Sequence, residues 1–333
     1  MSADTPPLLQ VESLRKWFDI TRGVFGRKVG QVKAVDDVSF TVRSHEVLGL
    51  AGESGSGKTT IGRSVLRLVE PSAGRIVFDG VDVTSLNSAD LRRFRRRMQI
   101  IFQDPLAALN PQMTIEEVLS EPLIVQGIGR SDAERRDRAG ALLDSVALSS
   151  DYLKRRPGEM SGGQRQRIVI ARALAVNPEF IVADEPVSAL DVSIQAQIIA
   201  LLIELKGRLG LSMLFISHDL AAMEYISDRI AVLYLGRVME IGPSSEVCGN
   251  FEHPYTEMLI SAVPQPEPGY QRKVFPVGEI PSAASPPSGC VFRTRCSYVK
   301  PECAQIVPQL RKVAEDHYTA CIRDDLSLSR VLL

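Results

Sequence analysis

An α/β fold with a mostly parallel sheet, followed by a small loop-rich extension, is the architecture this sequence predicts. Three observations carry that expectation. Short apolar runs of buried-strand type alternate with stretches of helical periodicity. One of these runs leads through a glycine-rich loop into a helix. After Pro243 prolines break the periodicity, and all five cysteines lie in that part, four of them between Cys290 and Cys321.

Taken in order, residues 8–12 read as a strand, and 34–42 alternates around Val35, Val38, Phe40 and Val42. A further strand, 75–78, follows the Pro-Ser-Ala-Gly turn at 71–74. The apolar run 46–51 ends in the glycine loop, and 59–68 reads as the helix beyond it. Residues 98–102 form another apolar run. From about 105 to 160 the pattern turns helical, with 114–126 and 132–146 as candidates. A helix over 164–176 stops before Asn177-Pro178. Runs 180–184 and 213–217 are buried strands with an amphipathic helix, 194–209, between them. Residues 230–241 read as two strands turning at Leu235-Gly236. Beyond them stand Pro254, Pro264, Pro266, Pro268, Pro276, Pro281, Pro286, Pro287, Pro301 and Pro308. The expected division is therefore 1–250 for the main domain and 251–333 for the extension.

A chain of 333 residues suits one large domain with an appendix. The 39 Lys+Arg against 40 Asp+Glu give no global field that favours nucleic acid or an anionic membrane. The start, MSADTPPLLQ, has neither the basic nor the apolar region of a signal peptide. No run of about eighteen apolar residues occurs without charge. Any role at a membrane is expected to be that of a peripheral subunit. The basic run Arg92, Arg93, Arg95, Arg96 and Arg97 lacks interleaved aromatics and reads as a solvated helix face, not a nucleic-acid site.

Gly52-Glu53-Ser54-Gly55-Ser56-Gly57-Lys58-Thr59 fits G-x-x-x-x-G-K-[ST] in full. Gly52, Gly55 and Gly57 let backbone N–H groups turn inward toward phosphate oxygens. The helix that follows offers its N-terminus to the same anion. Lys58 has the reach for the β- and γ-phosphates, and the Thr59 hydroxyl is a candidate Mg²⁺ ligand. Ser54 and Thr60 complete the expected nucleotide-binding set here. Residues 180–185 form a buried strand ending in Asp184 and Glu185, where ligands bind in open α/β sheets. Asp184 is expected to hold the metal, and Glu185 to polarise a water for in-line attack on the γ-phosphate.

Met160-Ser161-Gly162-Gly163-Gln164 is similar to the Leu-Ser-Gly-Gly-Gln signature of ABC ATPases, with Met for Leu. Further elements follow in family order. Gln103 in IFQDP resembles the Q-loop, Ser188-Ala189-Leu190-Asp191 the D-loop, and His218 in ISHD the H-loop. Phe18 matches the aromatic that stacks on adenine, with Trp17 as a substitute beside it. The resemblance implies an ABC nucleotide-binding domain: a mixed sheet, an antiparallel β subdomain and a helical subdomain over about 105–165. It implies that Ser161, Gly162, Gly163 and Gln164, with Asp191, serve the nucleotide bound to a partner chain in a head-to-tail dimer. It also implies that His218 contacts the γ-phosphate, and that Gln103 senses the metal and links the site to the helical region.

Cys290-x5-Cys296-x6-Cys303-x17-Cys321 leaves four readings open: disulfides, zinc with His317 as a substitute ligand, free thiols, or an iron–sulfur cluster. Disulfides need an oxidising compartment, and zinc sites usually show closer Cys pairs. His253-Pro254-Tyr255-Thr256, Ala262-Val263-Pro264, Gly278-Glu279-Ile280-Pro281 and Gly289-Cys290-x-Phe292-x-x-Arg295-Cys296 resemble the C-terminal extension of oligopeptide and dipeptide importer ATPases. That resemblance implies a [4Fe–4S] cluster on Cys290, Cys296, Cys303 and Cys321, and a structural role for it. Cys248 reads as an ordinary thiol. The resemblance further implies ATP and Mg²⁺ as ligands, and ATP hydrolysis coupled to peptide import. Its partners would be a related ATPase or a second copy, two permease subunits and an extracytoplasmic substrate-binding protein. The place implied is the cytoplasmic face of the bacterial plasma membrane. Import of nickel or another small solute is the alternative. So is a soluble ABC ATPase of translation or DNA repair, although no second cassette and no heptad insert is seen.

Overall fold

The computed structural model describes residues 6–23, 26–263 and 278–328. Residues 1–5 of the start, and Pro264, Pro266, Pro268 and Pro276 of the extension, lie outside the described residues. The chain divides into two compact units. One comprises Met1–Arg43, Val47–Thr84 and Ser217–Leu333, the other Ser44–Glu46 and Ser85–Ile216.

The first unit holds an antiparallel sheet and part of a mixed one. Strands Leu9–Arg22 and Arg27–Val42 form a long hairpin, and Ala73–Phe78 pairs with the other edge of Leu9–Arg22. The inner half of this hairpin buries Leu9, Val11, Leu14, Val35, Val38 and Phe40. Its outer half is exposed and tied by polar pairs such as Lys28 with Asp19 at 2.7 Å. That is why apolar alternation marks only residues 8–12 and 34–42: the outer half has no core to face.

Strand Val47–Ala51 is buried at every position, as expected of a parallel strand covered on both faces. It pairs parallel with Arg229–Tyr234, which turns at Leu235-Gly236 into the antiparallel Arg237–Pro243. The extension then adds His317–Thr319 against Arg237–Pro243, and Arg311–Ala314 against His317–Thr319. These two strands are too short and too polar to show in the hydropathy pattern. Glu240 anchors the junction. It is fully buried and accepts hydrogen bonds from the backbone N–H groups of Glu252 and His253 and from the Thr256 hydroxyl. His317 Nε2 meets the same carboxylate at 2.7 Å. Desolvation pushes the Glu240 carboxyl up, against the pull of these donors.

The second unit carries Met98–Ile101, Phe180–Asp184 and Ser212–Ile216 as parallel neighbours. Its helices include Ile115–Val125, Asp132–Ser145, Gly162–Leu174 and Val192–Leu209. They start where the sequence supplies caps. Thr114 and Glu117 form a capping box, and the Ser131 hydroxyl accepts from Glu134 N–H. Val192–Leu209 ends at Gly210 in the left-handed conformation, φ 66°. The arginine run occupies helix Ser88–Phe94 and its exit. There Arg97 makes a two-pronged contact with Glu179, 2.6 Å on each prong, so the run has a structural use.

Candidate active site

In the first unit, strand Val47–Ala51 runs into the glycine loop. Gly52 has φ +143°, and a Cβ there would lie 2.2 Å from the Leu233 carbonyl oxygen. Gly57 has φ +105°, and a Cβ there would lie 2.2 Å from the Ala34 carbonyl oxygen. No other residue fits either place. The chain therefore curls tightly enough for Lys58 Nζ to donate back to Gly52 O at 2.7 Å and Glu53 O at 3.0 Å. Helix Lys58–Val65 begins at Gly57 without a side-chain cap and without an acid in its first turn. Its positive end is thus left to a ligand anion. Ser54 and Gly55 are exposed, while Thr59 and Thr60 are half-buried.

His218 is placed by the same strand. The N–H of Ser217 donates to Leu50 O at 3.3 Å, and His218 follows, exposed. Asp219 then caps helix Leu220–Ile226 by accepting from the N–H groups of Ala221 and Ala222. Phe18 stands on the outer half of the hairpin, 41% exposed, with Lys16 Nζ 4.9 Å from its ring centroid. Trp17 faces the other way and is half-buried under Lys33 Nζ, 5.0 Å from its ring centroid.

In the second unit, Asp184 closes strand Phe180–Asp184 and is 1% exposed. Glu185 comes next in the left-handed region, φ 47°, unusual for a residue with a Cβ. Its N–H donates to Ile216 O at 3.0 Å, which holds this turn. Its carboxylate Oε2 accepts from Gln103 Nε2 at 3.1 Å. Gln103, Asp184 and Glu185, 82 residues apart at the widest, are therefore brought to one sheet end. The Ser188 hydroxyl donates to Glu185 O at 3.2 Å, and Asp191 is the N-cap of Val192–Leu209.

Ser161 caps helix Gly162–Leu174 in a reciprocal box with Gln164: Gln164 N–H to Ser161 Oγ at 3.3 Å, and Ser161 N–H to Gln164 Oε1 at 3.0 Å. Gln164 Nε2 also donates to Tyr152 Oη at 3.0 Å. With no acid in its first turn, the positive end of this helix is not offset by a carboxylate.

In the extension, Cys290, Cys296, Cys303 and Cys321 line one small cavity of about 20 Å³ together with Phe292 and Tyr298. Burial pushes the Cys290 thiol up to about 11 and the Cys296 thiol up to about 12, and raises Cys321 as well. Among the described residues, no three His, Cys, Asp or Glu side chains are grouped tightly enough to hold one metal ion. Four thiols around a shared cavity nevertheless match the donor set of a multi-metal cluster, which takes one thiolate per metal. Sequence reasoning missed two contacts in this region. Tyr255 and Arg295 both reach Glu53 of the glycine loop, and only the fold brings 53, 255 and 295 together.

The ABC transporter family model matches residues 35–188, and the model of the oligopeptide/dipeptide transporter C-terminal region matches 239–303. A putative peptide import ATP-binding protein of Brucella ovis is 58% identical over 322 residues, 96% of this chain and 99% of the relative. This chain belongs to the ABC transporter ATP-binding subunits of the oligopeptide/dipeptide family. The oligopeptide transport ATP-binding protein AppF of Bacillus subtilis is 46% identical to this ABC ATPase, covering 96% of the chain and 98% of AppF. A dimeric ATP-binding cassette in a post-hydrolysis state, bound to ADP and Pi, is 29% identical. It has a TM-score of 0.63 and covers 71% of this chain and 98% of that one. The ABC ATPase fold is thus shared with solved cassettes. Among the described residues, no helix is long and apolar enough to cross a membrane.

Proposed function

We propose that this ABC ATPase energises peptide import across the bacterial plasma membrane from its cytoplasmic face. What carries the reading is that cassette and extension match in one chain, nearly end to end with peptide import ATP-binding proteins. Its partners are a paralogous ATPase or a second copy, two permease subunits and an extracytoplasmic binding protein. Residues 1–250 form the ATPase domain and 251–333 the importer-type extension.

The chemistry divides among the residues already placed. Gly52, Ser54, Gly55, Gly57, Lys58, Thr59 and Thr60 take the phosphates of ATP, with Phe18 stacked on adenine. Lys58 exchanges its two loop carbonyls for phosphate oxygens. Thr59, Gln103 and Asp184 are the residues that would hold Mg²⁺, which would supply positive charge to offset that of the β- and γ-phosphates. Glu185 orients the attacking water, and its contact with Gln103 supports a link between metal sensing and that base. His218 holds the γ-phosphate. Ser161, Gly162, Gly163 and Gln164, with Asp191, cap the partner's ATP. The capping box must yield Ser161 Oγ to that phosphate, so closure of the dimer is linked to ATP. The four tail thiols would hold a [4Fe–4S] cluster, which would staple a proline-rich segment.

Glu185→Gln tests the catalytic assignment. ATP affinity should stay within about twofold, and steady-state turnover should fall about 10²-fold or more. Wild-type turnover would remove Glu185 from the role. Anaerobically purified protein should be brown with four irons per chain, and stoichiometric zinc would remove the cluster.

A further inference from the structure

The second residue of the glycine loop is held from three sides by its own unit. The Glu53 backbone N–H donates to Tyr255 Oη at 2.9 Å. The Glu53 carboxylate accepts from Arg295 Nη1 at 2.6 Å and Nη2 at 3.1 Å. The Glu53 carbonyl accepts from Lys58 Nζ at 3.0 Å. Arg295 is only 5% exposed. Its guanidinium lies 5.7 Å from the Tyr234 ring centroid, and Tyr234, Tyr255 and Phe292 pack with centroids 4.7 to 5.3 Å apart. Phe292 and Cys296, the residue after Arg295, line the thiol cavity. A continuous set of packed groups therefore runs from the tail cysteines to the phosphate loop.

We propose that Arg295 is a positioning residue for ATP binding, which together with Tyr255 fixes the Glu53 peptide and couples the Cys-lined extension to the phosphate loop. A loop rich in glycine has much backbone freedom to lose when its N–H groups close on phosphate. A clamp that orders its first turn in advance removes part of that cost from binding. The guanidinium fork fixes the plane of the Glu53 carboxylate, and the Tyr255 hydroxyl fixes the peptide. When Lys58 moves to a phosphate it leaves the Glu53 carbonyl, and the other two contacts keep the turn in place. The clamp acts on binding and not on the chemical step, because Asp184 ends another strand and Glu185 follows it. The inference rests on reading 52–59 as the phosphate loop.

The test measures the dissociation constant of a fluorescent ATP analogue, with KM and kcat, on the full chain. Arg295→Met and Glu53→Gln should each weaken binding about tenfold, raise KM in parallel, and leave kcat within about twofold. The double variant should be no weaker than the worse single one, and Arg295→Lys should recover part of the loss. Folded variants that bind like wild type, or effects that simply add, would overturn the proposal. If Arg295→Met does not fold, Tyr255→Phe and Glu53→Gln decide, and wild-type affinity in both overturns it. Lys58→Ala in the same assay tests the loop reading on its own: unchanged binding there would reject the phosphate loop, whatever the Arg295 variants do.

Discussion

Lys58 shows how a single residue reports on the site. A lysine 5% exposed, with two carbonyls as acceptors, is a cation held ready for a better anion. Lys58→Ala should therefore weaken ATP binding at least tenfold with little change in melting temperature, checked by nucleotide titration and a thermal melt. The placement of Lys58, Asp184 and Glu185 was legible in the sequence, because one apolar run leads into a glycine loop and another ends in an acid pair. The left-handed turn at Glu185 and its bond to Gln103 were not, since neither residue type signals a positive φ or a partner 82 positions away. Cys248 is the contrasting residue. It is 1% exposed and burial pushes its thiol up to about 12. At pH 8 it should stay unalkylated in the native chain and react on denaturation, read by mass spectrometry.

At the scale of elements, helices and buried strands were read well because each carries its own period or cap. Residues 114–126 and 132–146 became Ile115–Val125 and Asp132–Ser145, and 180–184 became Phe180–Asp184. Elements stabilised by distant partners were not visible. The outer half of the first hairpin is held by cross-strand polar pairs, and His317–Thr319 by a strand some 80 residues earlier. Glu240 is the fastening of that second pairing. Glu240→Ala leaves three hydrogen-bond donors and His317 without their acceptor, at a cost of about 3 kcal/mol or more. The variant should show a lowered denaturation midpoint and early proteolytic release of the tail. Glu240→Gln keeps one acceptor oxygen and should lose less.

For the whole molecule, the proposed function turns on two helix starts, each without an acid in its first turn. One begins at Lys58 behind the glycine loop, the other at Gly162 behind Ser161. A chain that needed only to bind ATP would need only the first. The second is of use when two cassettes face each other, and a solved relative of the same fold is dimeric with ADP and Pi bound. Under the proposed function, ATP would join two cassettes, hydrolysis would part them, and the motion would pass to the permease partners. The most direct measurement is recovery of tagged Glu185→Gln protein from membranes with ATP present, followed by mass spectrometry of what accompanies it. The account predicts two permease subunits and a second cassette chain, with their binding protein naming the solute. Ribosomes, DNA-repair proteins or soluble enzymes in their place would leave the ATPase standing and contradict transport.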